Sequence, residues 1–114
     1  MGFPAHVVLI EKNTMMREKL AGNISAGRGI KAVTQVASLE GIRKSLGHLE
    51  NPLVMMNIDE GARLVDIIKR IKRYNPEAKI LLYQSVGVNA EYRKIAIQMG
   101  ADCFIALDTD DDIV

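Results

Sequence analysis

Five short apolar runs, four of them followed by a longer stretch with helical spacing, constrain this chain more than any other feature. They span His6 to Ile10, Ile30 to Val36, Leu53 to Asn57, Lys79 to Tyr83 and Cys103 to Leu107. A strand that reaches its neighbour through an intervening helix pairs with it in parallel, so alternation of this kind leaves few architectures. Runs one, three, four and five are nearly all apolar, as expected of strands buried on both faces of a helix-covered sheet. Run two carries Lys31, Thr34 and Gln35 and suits an edge. The pattern predicts β-α-β-α-β-α-β-α-β, an α/β doubly wound open sheet with right-handed crossovers.

Each intervening stretch supplies its own helix signals. Met15, Met16, Leu20 and Ile24 form one apolar stripe behind Thr14 or Asn13 as N-cap. Leu39, Ile42, Leu46 and Leu49 repeat at intervals of three and four behind Ser38, predicting a second helix. Leu64, Ile67, Ile68 and Ile71 make a third stripe, stopped at Asn75-Pro76. Tyr92, Ile95, Ala96 and Met99 make a fourth, closed by Gly100. After the fifth run, Asp108-Thr109-Asp110-Asp111-Asp112-Ile113-Val114 reads as the opening of another helix. A fifth helix is therefore expected to be truncated or missing, or one sheet face to depend on a partner or a following domain.

A chain of 114 residues suits one domain, 1–114, with a single core. Lys and Arg number 15 against 14 Asp and Glu, so the net charge of +1 gives no field for nucleic acid or an anionic membrane. No run approaches the roughly 18 to 20 apolar residues of a membrane span, and the chain is expected to be cytoplasmic. The only cysteine, Cys103, excludes a disulfide framework and a cysteine-rich zinc site. It reads as core packing rather than a reactive thiol.

In open parallel sheets, chemistry collects just beyond the carboxyl ends of the strands. Glu11-Lys12, Asn57 with Asp59, Gln84-Ser85 and Leu107-Asp108 stand there. The stretch Val8 to Leu20, with Glu11, Lys12, Arg17 and Glu18, resembles the opening of response-regulator receiver domains. Leu53 to Asp59 resembles their acceptor strand, and Gly100-Ala101-Asp102-Cys103-Phe104-Ile105-Ala106-Leu107-Asp108-Thr109 their passage through the fifth strand. The last segment is most similar to receivers that precede helix-turn-helix outputs. The resemblance runs from about Val7 to the end and implies a flavodoxin-like sheet of order 2-1-3-4-5.

Carried over residue by residue, the resemblance implies a degenerate receiver. The acidic pair that helps hold Mg²⁺ corresponds to Glu11 and Lys12, and an ammonium there replaces a ligand with a competing charge. The phosphoryl acceptor Asp corresponds to Asn57, whose amide has neither the charge nor the nucleophilicity to attack phosphorus. The hydroxyl residue after strand four corresponds to Gln84, or to Ser85 if the alignment shifts by one. The lysine of strand five corresponds to Leu107. Mg²⁺ is not expected to bind; if a metal did, Glu11 and Asp59 would be its carboxylates. Lys12 either joins Glu11 and Asn57 in an ion-free hydrogen-bonded pocket or points to solvent.

The resulting expectation is a non-enzymatic signalling domain acting through protein contacts. It would be the regulatory part of a regulator, such as a transcriptional regulator, or a dimerising adaptor. Its partner surface would be helix four, strand five and the C-terminal region, with no membrane and no direct nucleic-acid binding. Two other readings stay open. Asp59 or Glu11 could accept the phosphoryl group in a phosphorelay, or the strand-end crevice could serve a small α/β enzyme or ligand-binding protein, though no nucleophile or base stands out.

The remaining features have simpler readings. Lys69, Arg70, Lys72 and Arg73 alternate with Ile68 and Ile71, as on the solvated face of an amphipathic helix. His6 and His48 lack metal-ligand spacing. Ala26-Gly27-Arg28-Gly29 follows a helix rather than a strand and reads as a helix stop, not a phosphate loop.

Overall fold

The computed structural model describes residues 5–58, 63–84 and 90–107. Five strands, β1 (Ala5–Ile10), β2 (Ile30–Val36), β3 (Leu53–Asn57), β4 (Lys79–Gln84) and β5 (Cys103–Ala106), form one parallel sheet in the order β2-β1-β3-β4-β5. The order reverses beside β1, which pairs with both β2 and β3. Among the described residues the crossovers carry α1 (Thr14–Ser25), the short α2 (Arg43–Leu46), α3 (Arg63–Tyr74) and α4 (Ala90–Met99). This is the flavodoxin-like sheet expected. The expected fifth helix lies in 108–114, outside the described residues.

Two-residue alternation sorts the core into two layers. Val8, Val54, Met56, Ile80, Leu82 and Phe104 face a large cluster with Leu46, Leu64, Ile68, Ile71 and Ala96 from α2, α3 and α4. Val7, Leu9, Met55 and Tyr83 face the other way, onto Leu20 and Ala21 of α1. Among the described residues the α1 layer has fewer buried side chains, and Leu53, Leu81 and Ile105 on it are only partly buried.

Local chemistry explains where the helices begin and end. Asn13 is extended and its side-chain oxygen accepts from the Met16 amide at 2.9 Å, so Asn13 rather than Thr14 caps α1. α3 stops at Asn75, whose Oδ1 accepts from the Glu77 amide at 3.0 Å while Pro76 blocks continuation. Gly100 closes α4 at φ +108°, the left-handed region that an L side chain rarely adopts.

Three expectations need correction. Met15 is 81% exposed, because the buried stripe of α1 runs through Met16, Leu20 and Ile24 and a residue one step away is turned by about 100°. The second helix is not continuous: Leu39–Gly41 forms a 3-10 turn and α2 only one further turn. Gly41 lies against β2, where an added Cβ would sit 3.1 Å from Val36 Cγ1, and glycine itself weakens a helix. Leu39, Ile42 and Leu46 are nevertheless buried, since a broken helix keeps the same three- and four-residue spacing. Cys103 is exposed, not core: β5 is an edge strand, and of its residues only Phe104 is fully buried while Cys103 and Ala106 stay exposed.

Candidate functional site

The carboxyl ends of β1 and β3 to β5 converge because the register places Ile10 beside Met56 and Asn57 beside Tyr83. The Leu107 amide donates to the Gln84 carbonyl at 2.8 Å, which draws the end of β5 into the same group. Strand parity then decides which side chains meet. Glu11, following Val7 and Leu9, falls on the α1 face with Asn57 and Tyr83, and Gln84 falls on the opposite face.

Glu11 is the organising group on the α1 face. Its carboxylate is buried, and Oε1 accepts a hydrogen bond from the hydroxyl of the fully buried Tyr83. Oε2 accepts from the Asn13 amide at 3.1 Å, and the Glu11 carbonyl accepts from Arg17 at 2.7 Å. A buried carboxylate is costly unless several donors satisfy it, and here they come from the loop after β1 and from β4, two strands away. Glu11 and Asn57 line one open crevice with Asn13, Met15, Met16 and Lys19. Lys12 is exposed and lines a different cleft, toward α3.

Leu107 is 5% exposed and packs into the α1-side cluster with Met55 and Tyr83. An apolar side chain there leaves that position no means of neutralising a phosphoryl group. Gln84 is buried at the end of β4. Asp59 and Ser85 lie outside the described residues.

Glu11 supplies one carboxylate to this end, and both of its oxygens already accept hydrogen bonds. No group of three or more His, Cys, Asp or Glu side chains lies together among the described residues. Magnesium favours near-octahedral oxygen ligation and usually takes one or two carboxylates with several waters.

Sequence reasoning missed Tyr83 as a member of this site, because it read as one more apolar residue of a central strand. The available signal was that a buried tyrosine hydroxyl usually finds a partner, and Glu11 shares its sheet face. The Gly-Ala-Asp segment, which carried much of the resemblance, serves the opposite end of the sheet. There Asp102 accepts from the Ile80 amide at 2.8 Å and pairs with Lys72 at 3.1 Å. Partial burial pushes the Asp102 carboxyl up, but the Ile80 amide and Lys72 together hold it below its ordinary 3.8. The basic run of α3 is likewise mostly a solvated face, with Arg70 paired to Glu40 at 3.1 Å and Lys72 to Asp102. The Tyr74 hydroxyl, and after it the Glu40 carboxylate, raise the Arg70 pKa. His6 Nε2 lies 2.8 Å from the Thr34 hydroxyl, a structural pairing.

This architecture is the receiver fold of two-component response regulators. Solved structures similar to the chain include a response regulator from Thermotoga maritima, at 17% identity and TM-score 0.73, covering 91% of this chain and 85% of that one. A response regulator protein from Burkholderia pseudomallei, with a phosphorylated aspartic acid, calcium ion and citrate, matches at 21% identity and TM-score 0.67. That match covers 90% of this chain, which spans 59% of the Burkholderia chain. A DNA-binding response regulator of the LuxR family from Staphylococcus aureus matches at 14% identity and TM-score 0.67, covering 95% and 88%. The sequence matches no protein-family profile and no curated protein. At these identities the likeness establishes the fold. Among the described residues, no helix is long and apolar enough to cross a membrane.

Proposed function

We propose that this domain is a receiver-like signalling module that acts through protein contacts and does not use the usual phosphoryl acceptor. The observation that carries this reading is the Glu11 carboxylate, buried and held by Tyr83 and Asn13 instead of standing open beside an acceptor aspartate. Asn57 next to it brings no nucleophile, Leu107 brings no cation, and the domain needs no Mg²⁺. The site then works as an internal brace that holds one conformation of the strand ends. In a phosphorylated receiver, the modification would instead bias two conformations.

Output runs through α4, β5 and the region after them, to a protein partner, to an output domain such as that of a transcriptional regulator, or to a second copy. Supporting this, Ile97 of α4 is 52% exposed and Ile95, on another side of the same helix, 36%, while Cys103 and Ala106 are exposed on β5. The location implied is the cytoplasm, where such regulators meet their partners.

The test is intact mass after incubation with acetyl phosphate and Mg²⁺, for the unmodified chain and for Asn57→Asp. The expected result is no labile mass gain in the unmodified chain. A gain there would establish another acceptor, such as Asp59, and overturn this reading. Light scattering of the chain and of Ile97→Glu tests the contact surface, with loss of association expected in the variant if a second copy is the partner.

A further inference from the structure

The cleft lined by Lys12 lies on the other face of the sheet from Glu11 and Asn57. It opens among the ends of β1 and β3, the turn after β2 and α3, and encloses about 200 Å³. Strand order reverses beside β1, and the crevice outside such a reversal is where open α/β sheets take ligands. We propose that this cleft binds a small oxyanion, a phosphate or carboxylate on a short apolar stem, held by Arg63 and Arg70.

Three observations support the assignment. The first is charge: Lys12, Arg63 and Arg70 line the cleft, and Glu40 is the carboxylate among its described lining residues. Guanidinium groups are well suited to an oxyanion, because their planar fork donates to two oxygens at once. The second is Ser38. It stands at the N-cap of the 3-10 turn, yet its side chain makes no cap hydrogen bond and it lines the cleft, where its hydroxyl can serve as a neutral donor. The third is the wall behind these groups, where Met56 and Ile67 offer an apolar surface to a stem.

Size bounds the ligand. At about 30 Å³ per water-sized group the cleft holds roughly seven such groups, below the usual volume of a site for a drug-sized molecule. Glu40 is the built-in competitor. It accepts from Arg70 at 3.1 Å and lies 3.8 Å from Arg43, so a bound oxyanion takes Arg70 from Glu40 while Arg43 remains beside the carboxylate. The inference rests on this cleft alone and holds whether or not any residue of the chain accepts a phosphoryl group.

The test is a titration of the isotope-labelled full chain, followed by amide NMR shifts. The probes are inorganic phosphate, propyl phosphate and butyrate, with ionic strength held constant by chloride. Saturable shifts are expected at Ser38, Leu39, Arg63 and Ile67. Propyl phosphate should bind more tightly than inorganic phosphate, and its comparison with butyrate identifies the preferred oxyanion. Arg63→Gln or Arg70→Gln should weaken binding about tenfold, the size of one lost charge-assisted hydrogen bond. Arg70→Lys, which keeps the charge without the fork, should fall between. Glu40→Gln should tighten binding severalfold by removing the competitor. The proposal is overturned if no probe gives saturable shifts at these residues. It is equally overturned if the Arg63→Gln, Arg70→Gln double variant, folded by circular dichroism, binds as the unmodified chain does.

Discussion

The two ends of the sheet use polar residues in different proportions of backbone and side-chain bonding. At the amino ends of β4 and β5, Asn75 and Asp102 bond mainly to backbone. Asn75 Nδ2 donates to the Leu46 and Leu49 carbonyls at 2.9 and 2.8 Å, and Asp102 accepts from the Ile80 amide. At the carboxyl ends, Glu11 is held by the Asn13 amide and, across the sheet, by the side chain of Tyr83, which lies 72 residues away. Backbone bonds complete the fold, because buried amides and carbonyls must be paired in any sequence that adopts it. A side chain bonded to another side chain can be replaced by other pairs, so that end is free to differ in chemistry among chains sharing the fold. The comparison teaches that the polar residues nearest to invariable backbone tasks are poor guides to function, and that the exchangeable pairs are better ones.

Substitutions can break this contrast, and the largest effect belongs to the amino end. Asn75→Ala removes donors from two carbonyls and the acceptor of the Glu77 amide, and should cost about 3 kcal/mol in urea unfolding. Tyr83→Phe leaves the buried Glu11 carboxylate one donor short and should cost about 2 kcal/mol by the same measurement. If Tyr83→Phe instead proves neutral, the Tyr83–Glu11 bond is not the brace proposed for the strand ends.

Acid unfolding sharpens the comparison further. The folded pKa of Asp102 lies below its ordinary 3.8, so its stabilisation is full above that value and is lost as pH falls through the folded pKa. Asp102→Asn should therefore be less stable at neutral pH and show a flatter acid limb below about pH 4. The smallest effect is expected for Lys72→Met. Its ion pair with Asp102 is about one-third exposed on each side and Nζ also donates to the Ala78 carbonyl at 2.7 Å, so its loss should cost about 1 kcal/mol.

Much of the fold was legible because its signals are local. The intervals of Leu64, Ile68 and Ile71 bury one face of α3, and the polar residues of run two marked β2 as an edge. Legibility failed where two local rules met a tertiary constraint. Leu39 to Leu49 has the spacing of a helix, but Gly41 must fit against Val36 and the helix breaks. Cys103 sits in a run as apolar as the central strands, and only the strand order makes that run an edge.

For the candidate site, the sequence by itself placed Glu11, Asn57, Gln84 and Leu107 at strand ends, since strand boundaries and two-residue alternation are properties of neighbouring residues. The tertiary structure alone decided that Tyr83 meets Glu11, that Leu107 seals an apolar cluster and that Lys12 lines the cleft toward α3. Those outcomes depend on the register between strands far apart in the chain and on which helix covers each face, and no local periodicity encodes either.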